Sequence, residues 1–218
     1  PSSVGRVPEI WFYIKRAQGI RYKYNKSWPI EHRRFLFKDQ TKDNIFWSVI
    51  SGCGVWTAYE VITYWTFANK YTSYLVIADH TAYFVFLPLV IPIVHDTHFY
   101  FGHRLLHWKP LYKAVHYIHH KNINVGPWSG LAMHPIEHVI YFSGVLFYLI
   151  IPSHPLHTLL FILYVALAPA HSHVGFHKMV VGKRLDIPNT GDYFHYLHHR
   201  YFECNYGGGS VPLDRWFG

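Results

Sequence analysis

The chain has 218 residues, enough for one domain, and carries a formal net charge of +8. Charged residues make up only 15% of it, against roughly 25% in soluble domains, while apolar residues make up 50% and aromatic residues 19%. This composition argues against an ordinary soluble domain, and the 2 cysteines predict neither a disulfide nor a cysteine metal site. The 19 histidines are the outstanding anomaly.

Residues 1–44 form a basic N-terminal segment that holds ten of the 20 Lys and Arg residues. Pro8 and Pro29 interrupt this segment, and it does not resemble a cleavable signal peptide. We predict that it lies in the cytosol and that a membrane-embedded domain follows over residues 45–218. Because the chain begins at Pro1 rather than Met, we interpret it as a fragment or a trimmed domain.

Four apolar stretches follow the basic segment, at residues 45–69, 74–94, 139–151 and 156–170. A membrane-spanning helix needs about 20 mostly apolar residues. The first two stretches reach that length, although Glu60, Asp79 and His80 interrupt them. The last two are short and are separated by Pro152 and Pro155, so they fit two short spans, a re-entrant hairpin or one broken span.

The distribution of basic residues favours two helical hairpins. If the stretches pair as hairpins, 19 of the 20 Lys and Arg residues fall on one side of the membrane, and only Lys70 lies in a turn between paired spans. Basic residues prefer the cytoplasmic side. The predicted fold is therefore all-α, with about four transmembrane helices in two hairpins, both termini and the middle loop in the cytosol, and a cytosolic helical cap that carries the histidine-rich segments. A soluble protein with a large helical core is the alternative.

The histidines recur in four motifs, HRLLH, HYIHH, HVGFH and HYLHH. Helical residues at i, i+3 and i+4 share one face, so each motif would present two or three imidazoles in the same direction, although Gly175 weakens the helix prediction for HVGFH. Imidazole is the commonest metal-binding side chain near neutral pH. The candidate metal ligands are His103, His107, His116, His119, His120, His173, His177, His195, His198 and His199.

Ten candidate ligands suit two metal ions better than one. A shared site requires all four motifs on one side of the membrane, and hence a hairpin across residues 139–170 with its turn at residues 152–155, where prolines disrupt a helix. Imidazole-rich ligation permits iron, zinc, copper or nickel. The candidates to orient the ligands, by holding the second ring nitrogen of an imidazole, are Asp96, His134, Glu137 and Asp192.

These motifs resemble those of the membrane fatty acid hydroxylase and sterol desaturase superfamily. HRLLH, HYIHH and HYLHH are similar to its HxxxH, HxxHH and HxxHH boxes, and HDTHFYFGHRLLH, residues 95–107, resembles the first box with its preceding Asp and Phe-Tyr. AMHPIEH, residues 132–138, is similar to a His-Pro-x-Glu segment of the sterol-modifying branches. The ending NYGGGSVPLDRWFG resembles the family's tail, so that the resemblance covers roughly residues 85–218.

The resemblance implies a di-iron, dioxygen-dependent lipid oxidase whose catalytic domain is residues 45–218. It implies that the eight histidines of the three boxes are iron ligands, and that His173 and His177 match an additional pair found in hydroxylase members. The remaining nearby histidines, which stay outside the ligand set, are His95, His98, His134, His138 and His171. The implied reaction removes hydrogen from an unactivated C–H bond and yields either an alcohol or an alkene.

The resemblance also implies partners and a location. Electrons would come ultimately from NAD(P)H through a separate cytochrome b-type carrier and its reductase, and the chain has no Rossmann fingerprint of its own. Zinc could occupy the site in purified protein because it outcompetes ferrous iron at many nitrogen sites. In a eukaryote we expect the endoplasmic reticulum membrane, with the site on the cytosolic face. We expect no nucleic-acid partner, because no nucleic-acid motif accompanies the basic charge.

Substrate and rival functions stay open at this point. HPIEH favours a sterol, while a fatty acyl or sphingoid lipid remains an alternative substrate. One rival function is that of a membrane acyl desaturase, although those enzymes begin with HxxxxH and this chain has HxxxH at His103. The other is a histidine-rich metal transporter, which would place polar ligands at mid-membrane depth, where Asp79 and His80 are the only hint of such a pair.

Overall fold

The computed structural model describes residues 9–181 and 185–218, and 60% of the chain is helical. The first eight residues of the basic segment, and Lys183 and Arg184 of the basic-residue count, lie outside the described residues. The main helices are α1 (Gln40–Ala68), α2 (Thr81–Leu89), α3 (Ile91–Leu106), α4 (Tyr117–His120), α5 (Pro135–Ile150), α6 (Pro155–Ser172), α7 (Tyr193–Tyr201) and α8 (Leu213–Phe217). A short antiparallel hairpin, β1 (Lys178–Val181) and β2 (Leu185–Pro188), lies between α6 and α7.

Short 3₁₀-, α- and π-helical turns lie before or between these elements. Glu9–Ile14 and Tyr112–His116 are π-helical, Lys109–Leu111 is a single α-turn, and Pro127–Ser129 is a 3₁₀ turn. A further π-helical stretch, Trp47–Gly52, lies inside α1 and does not interrupt it. Such bulges often occur next to functional sites, and this one lies beside His138, which bonds to Ser51.

The apolar helices confirm the prediction of a mostly helical membrane protein. Within residues 9–181 and 185–218, α1 and α6 are each long and apolar enough to cross a membrane. Helices α2 and α3 pass the same test only as a pair, bent by 43° where Pro88 and Pro92 flank the break. Helix α5 is apolar but shorter. The structure therefore has two or three candidate spans, and the number four stays a prediction.

The helix observed at the second predicted apolar stretch begins and ends later in the chain than we expected. We expected a span over residues 74–94, whereas the helix begins only at Thr81 and continues, after the bend, through α3 to Leu106. Asp79 and His80 are polar residues at that start, and they lie in the turn rather than in the helix. As a consequence, the first histidine motif is carried by the same bent apolar unit, not by a separate cytosolic helix.

Two connecting turns meet at the end of the bundle opposite the histidine motifs. The turn between α1 and α2 pairs with the turn between α5 and α6: Leu75 N donates to Ser153 O at 2.8 Å, and Ser153 N donates to Ser73 O at 3.1 Å. The second turn is at the predicted place, between Ile150 and Pro155. The helices on either side of each turn thus run as a hairpin, and the second hairpin returns the chain to the histidine side.

The main core lies between α5 and α6, where Phe142, Val145, Phe161 and Ile162 are fully or almost fully buried. Gly144 makes the close approach possible, because a Cβ there would lie 2.9 Å from the Phe161 ring. Helices α1 and α3 also pack against α5 and α6. The core therefore fixes the ends of α3, α5 and α6 relative to one another, and these ends carry site residues.

The basic segment is packed against the loop that follows HYIHH. Lys121 Nζ lies 2.7 Å from Asp43 Oδ2, and both side chains are buried. Gln40 Nε2 donates to Asn122 Oδ1 at 3.1 Å and to the Asn124 carbonyl at 2.8 Å. Gln40 and Asp43 belong to the first turns of α1, so the predicted boundary between residues 44 and 45 falls inside a continuous helix.

The buried Asp43–Lys121 pair gives the first prediction. Lys121→Met leaves the Asp43 carboxylate buried without a cation, which costs about 3–5 kcal/mol in the free energy of unfolding. The double variant D43L/K121M removes both charges, and we expect it to regain most of that loss. Unfolding in mixed micelles, followed by tryptophan fluorescence, measures the difference.

The matched control is Lys42→Met, because the Lys42 side chain is 71% exposed and its contact with Asp39 is 3.9 Å long. An exposed pair of this kind contributes at most about 1 kcal/mol. If Lys121→Met destabilised the protein no more than Lys42→Met, the basic segment would not be braced against the HYIHH loop as described.

Candidate metal centre

The histidine motifs converge on one buried region from four separate parts of the chain. His103 lies in the last turn of α3 and His107 caps its end, HYIHH runs from the π-helical turn into α4, and HYLHH lies within α7. His173 caps the end of α6. Asp192 fixes the start of α7, because its carboxylate accepts hydrogen bonds from Phe194 N at 2.9 Å and His195 N at 3.2 Å.

The imidazoles form two groups, each with ligand nitrogen atoms within 4.8 Å of one another. The five-histidine group contains His103, His107, His116, His120 and His198. The four-histidine group contains His119, His173, His195 and His199. Every member except the half-buried His107 is buried. Nine of the ten histidines proposed from the sequence are thus brought together by the fold.

The two similar motifs divide their histidines between the groups in opposite ways. In HYIHH, the outer residues His116 and His120 belong to the five-histidine group, and His119 belongs to the four-histidine group. In HYLHH, the corresponding outer residues, His195 and His199, belong to the four-histidine group, and His198 belongs to the five-histidine group. An i, i+4 pair therefore serves one group while the i+3 imidazole serves the other.

Nitrogen spacing in the four-histidine group fits one shared ion. The Nε2 atoms of His173, His195 and His199 form a triangle with sides of 3.0, 3.2 and 3.2 Å. Each Nε2 has a single proton or lone pair in its ring plane, so it cannot bond to both neighbours at once. Nitrogen ligands about 2.0–2.1 Å from a common ion lie roughly 3 Å apart, so a metal ion removes this conflict.

The five-histidine group has the same spacing. His198 Nε2 lies 3.1 Å from His107 Nε2 and 3.1 Å from His120 Nε2. The His103 ring centroid lies 5.0 Å from that of His116 and 4.4 Å from that of His198. His116 Nε2 is buried and has no hydrogen-bond partner in the described part of the chain. These donors fit a second ion, and all of them are imidazole nitrogens.

Three of the ring nitrogens that point away from the groups are held by backbone carbonyl oxygens. His103 Nδ1 lies 2.7 Å from the Tyr206 carbonyl, His198 Nδ1 lies 2.6 Å from the Cys204 carbonyl, and His173 Nδ1 lies 2.9 Å from the Pro169 carbonyl. A carbonyl oxygen can only accept a hydrogen bond, so each of these Nδ1 atoms carries the hydrogen. In the neutral ring, Nε2 then keeps its lone pair for a metal.

Burial also keeps these imidazoles in the form that binds metal. It lowers the pKa of His107 to about 3, with a further contribution from the neighbouring His198, and it lowers the pKa of His173 to about 3 and that of His198 to about 4. The pKa values of His116, His119, His120, His195 and His199 are likewise depressed by burial. At neutral pH the imidazoles are therefore uncharged and their lone pairs are available.

The four candidate orienting residues have different surroundings. Glu137 is buried, and its Oε1 lies 2.8 Å from His116 Nδ1, as proposed. Asp192 acts through the backbone, as the cap of α7. Asp96 bonds to His95 and Ser210, and His134 caps the start of α5 by accepting from Ile136 N.

His177 is the candidate ligand that the structure does not bring to either group. Helix α6 ends at Ser172, and Gly175, at φ +78°, turns the chain toward β1. His173 and His177 therefore do not share a helical face, contrary to the expectation from their spacing. The His177 side chain is exposed and lines a separate cavity of about 930 Å³.

The sequence reasoning missed the backbone carbonyls of Pro169, Cys204 and Tyr206, because a carbonyl has no side-chain signature. The one available signal for Tyr206 was the Asn-Tyr-Gly tail, which the resemblance had already singled out. The tail is held in place by Asp214, whose carboxylate accepts from Tyr206 N at 2.7 Å and Gly207 N at 2.8 Å. The C-terminal segment thus holds the Tyr206 carbonyl against His103 Nδ1.

A cavity of about 460 Å³ adjoins both groups. His103, His116, His119, His173 and His195 contribute to its wall, and Phe99, Met133, Ile140 and Leu167 provide apolar surface. Its volume lies within the roughly 300–1,000 Å³ of small-molecule sites. The histidine nitrogens are therefore next to a largely apolar chamber of ligand size.

Comparison with known proteins supports the motif resemblance. The family model described as fatty acid hydroxylase matches residues 88–218, more than half of the chain. The chain belongs to the fatty acid hydroxylase family. The prediction of this superfamily from the histidine boxes is confirmed, and the matched region contains all nine grouped histidines.

Curated relatives of this family member are sterol desaturases. The chain is 32% identical to the Delta(7)-sterol 5(6)-desaturase ERG3B of Gibberella zeae over 127 residues, which cover 58% of this chain and 39% of that protein. It is 34% identical to the Delta(7)-sterol 5(6)-desaturase of Candida dubliniensis over 124 residues, covering 55% and 30%. It is 32% identical to the Delta(7)-sterol-C5(6)-desaturase of Nicotiana tabacum over 142 residues, covering 63% and 50%.

The matches thus span half or less of the length of these relatives. No solved structure matches the chain.

Grouping of the histidines predicts which substitutions release metal. His198→Ala removes a nitrogen that lies 3.1 Å from two others, and we expect the metal content of purified protein to fall from roughly two ions per chain toward roughly one. His177→Ala is the matched control, because His177 belongs to neither group, and it retains the full metal content. Elemental analysis by mass spectrometry measures both. Equal loss in the two variants would contradict the grouping.

Glu137 gives a finer test of ligand orientation. Glu137→Gln weakens the acceptor that holds His116 Nδ1, and losing such a partner typically lowers metal affinity about 10–100-fold. A chelator competition series on metal-loaded protein measures the change. Glu31→Gln, which alters an exposed carboxylate, keeps the affinity of the parent protein. Unchanged chelator resistance in Glu137→Gln would show that the His116 contact does not support the metal.

Proposed function

We propose that this chain is the catalytic part of a di-iron, dioxygen-dependent oxidase that desaturates a sterol in a membrane. The single observation that carries the proposal is the pair of all-imidazole groups beside an apolar cavity. Unactivated C–H bonds are beyond the chemistry of protein side chains, so a bound metal centre must supply the oxidant. Family membership and the names of the relatives support the same class of reaction.

We propose two iron ions as the resident metals, one for each histidine group. The nitrogen donors also suit zinc, copper and nickel, and zinc outcompetes ferrous iron at many such sites. Zinc in purified protein is therefore compatible with iron as the working metal in cells. With iron bound, the centre would activate dioxygen and oxidise a C–H bond of the lipid.

Residues of this chain have three tasks in that reaction. The imidazoles hold the metals, and the Tyr206, Cys204 and Pro169 carbonyls keep the Nε2 lone pairs turned toward them. Glu137 holds His116 in the same way. Apolar side chains such as Phe99, Met133 and Ile140 exclude water from the cavity and contact the lipid skeleton.

The sterol is the favoured substrate because the relatives are named as acting on a Delta(7)-sterol, forming a 5(6) double bond. A cavity of about 460 Å³ is large enough for a compact lipid. We therefore favour desaturation over hydroxylation as the reaction of this chain. A fatty acyl or sphingoid substrate is the alternative, consistent with the wider family.

We further propose the location and the source of electrons. The asymmetry of Lys and Arg residues supports a cytosolic position for the histidine end of the bundle, and in a eukaryote the membrane would be that of the endoplasmic reticulum. A cytochrome b-type carrier and its reductase would bring electrons from NAD(P)H, and the basic surface favours an acidic partner by charge complementarity. Residues 45–218 form the membrane-embedded catalytic domain in this proposal, braced by residues 9–44.

A reconstituted assay tests the proposed function. Iron-loaded protein in liposomes containing a Delta(7)-sterol, with dioxygen and a reduced cytochrome b-type carrier, forms the 5(6)-unsaturated product, detected by gas chromatography and mass spectrometry. Anaerobic samples and the His103→Ala variant form none, because dioxygen or a metal ligand is missing.

The contrary result is a metal-loaded, folded protein that consumes no dioxygen and forms no oxidised lipid. If the same liposomes instead accumulated metal ions inside, the transporter alternative would replace the oxidase.

A further inference from the structure

Two buried ionisable residues in α3 belong to neither metal group. His95 is 7% exposed and Asp96 is 4% exposed, two turns or more before His103. Both line the cavity. Ionisable residues inside apolar helices of membrane proteins are costly, and they usually face an interior site where they have a function. The metal ligation described above gives these two residues no task.

The hydrogen bonds of Asp96 determine the state of the His95 ring. Asp96 Oδ2 accepts from Ser210 N at 2.6 Å, and Asp96 Oδ1 lies 3.0 Å from His95 Nδ1. A carboxylate is only an acceptor, so His95 Nδ1 carries the proton and, in the neutral ring, Nε2 keeps a lone pair. The C-terminal loop is tightly fitted here, since a Cβ on Gly208 would lie 2.5 Å from Asp96 Oδ1.

The Tyr141 hydroxyl, a polar neighbour of His95 Nε2, does not donate to it. Tyr141 Oη lies 3.4 Å from His95 Nε2, but its single proton is donated to the Val165 carbonyl at 2.9 Å. Within residues 9–181 and 185–218, the His95 Nε2 lone pair and a Tyr141 oxygen lone pair are therefore two neighbouring acceptors on the cavity wall without a donor. Leaving buried acceptors unsatisfied is costly, so a ligand that brings an O–H group is favoured there.

The position of these acceptors relative to the metal groups suits a substrate contact. His95, Phe99 and His103 follow one face of α3 at i, i+4 and i+8, about 12 Å along the helix axis. The Phe99 ring lies between the other two, with centroid distances of 5.7 Å to His95 and 4.7 Å to His103. A rigid skeleton along Phe99 would therefore have one end at His95 and a carbon several bonds away near the metal groups.

We propose that His95 and Tyr141, oriented by Asp96 and Val165, form a subsite that accepts the O–H of a lipid alcohol. The substrate is then a neutral lipid with a free hydroxyl group and not its ester or ether. This inference deepens the proposed function and rests on it for the reaction, whereas the binding of the alcohol can be measured without any turnover.

The primary test compares a free Delta(7)-sterol with its 3-O-methyl ether. The metal-loaded protein in nanodiscs is first bound to the radiolabelled free sterol. Each unlabelled compound is then added, and its displacement of the label gives its relative affinity. One hydrogen bond of ordinary strength corresponds to about a five- to ten-fold difference, and we expect the free alcohol to bind that much more tightly. Equal affinities, as expected if ordered water fills the acceptor pair, would overturn the subsite, and so would absence of binding by both.

Substitutions in the cavity wall test whether His95 and Tyr141 cause the tighter binding of the free alcohol. Tyr141→Phe and His95→Phe each reduce the preference for the alcohol to about two-fold or less, because each removes one of the two acceptors that share the proton of the O–H group. Tyr148→Phe is the matched control: it removes a buried tyrosine hydroxyl that does not line the cavity, and it retains the preference. An unchanged preference in both cavity variants would overturn the assignment, and the wild-type comparison stands even if one variant fails to fold.

Product analysis separates this inference from the proposed function. If the alcohol binds better than the ether but neither is oxidised by iron-loaded, reduced protein, the subsite is supported and the oxidase proposal fails. If both compounds bind and are oxidised equally well, the oxidase is supported and the hydroxyl subsite fails.

Discussion

The structure depends on the convergence of nine neutral imidazoles at a buried site. Nitrogen atoms 3.0–3.2 Å apart cannot all satisfy one another with the single proton or lone pair that each has available. Burial keeps these rings uncharged, so the arrangement offers a set of lone pairs that shared cations could satisfy. The capped helices, the carbonyl partners of the ring N–H groups and the braced loop after HYIHH each restrict one of these imidazoles. Under the proposed function, metal binding offsets the free-energy cost of restricting these side chains.

The repetition of a three-histidine motif has a geometric explanation. A helix presents i and i+4 on nearly the same line and i+3 slightly to one side, so one HxxHH motif can contact two adjacent ions. The two motifs do this reciprocally: His119 crosses to the group formed by His195 and His199, while His198 crosses to the group formed by His116 and His120. With one copy of the motif, each group would have fewer imidazole nitrogens. The second copy, from a distant part of the chain, supplies the others.

Sequence patterns were sufficient for the features that depend on local periodicity. Apolar length and basic asymmetry predicted the helical hairpins, and histidine spacing predicted nine of the imidazoles that meet. The predictions were wrong where non-local contacts or backbone groups determine the structure. The prolines near Val90 bend a stretch that hydropathy alone counts as one span, and Gly175 removes His177 from the helix whose spacing suggested it. The Cys204 and Tyr206 carbonyls, and the packing of Asp43 on Lys121, follow from tertiary structure and leave no local pattern.

X-ray absorption at the iron edge of anaerobically loaded protein tests the central claim most directly. We expect two ions per chain, surrounded only by light atoms at roughly 2.0–2.2 Å with the outer-shell scattering of imidazole rings. A spectrum with sulfur neighbours, with little imidazole scattering, or from a fully loaded protein that holds a single ion would contradict it.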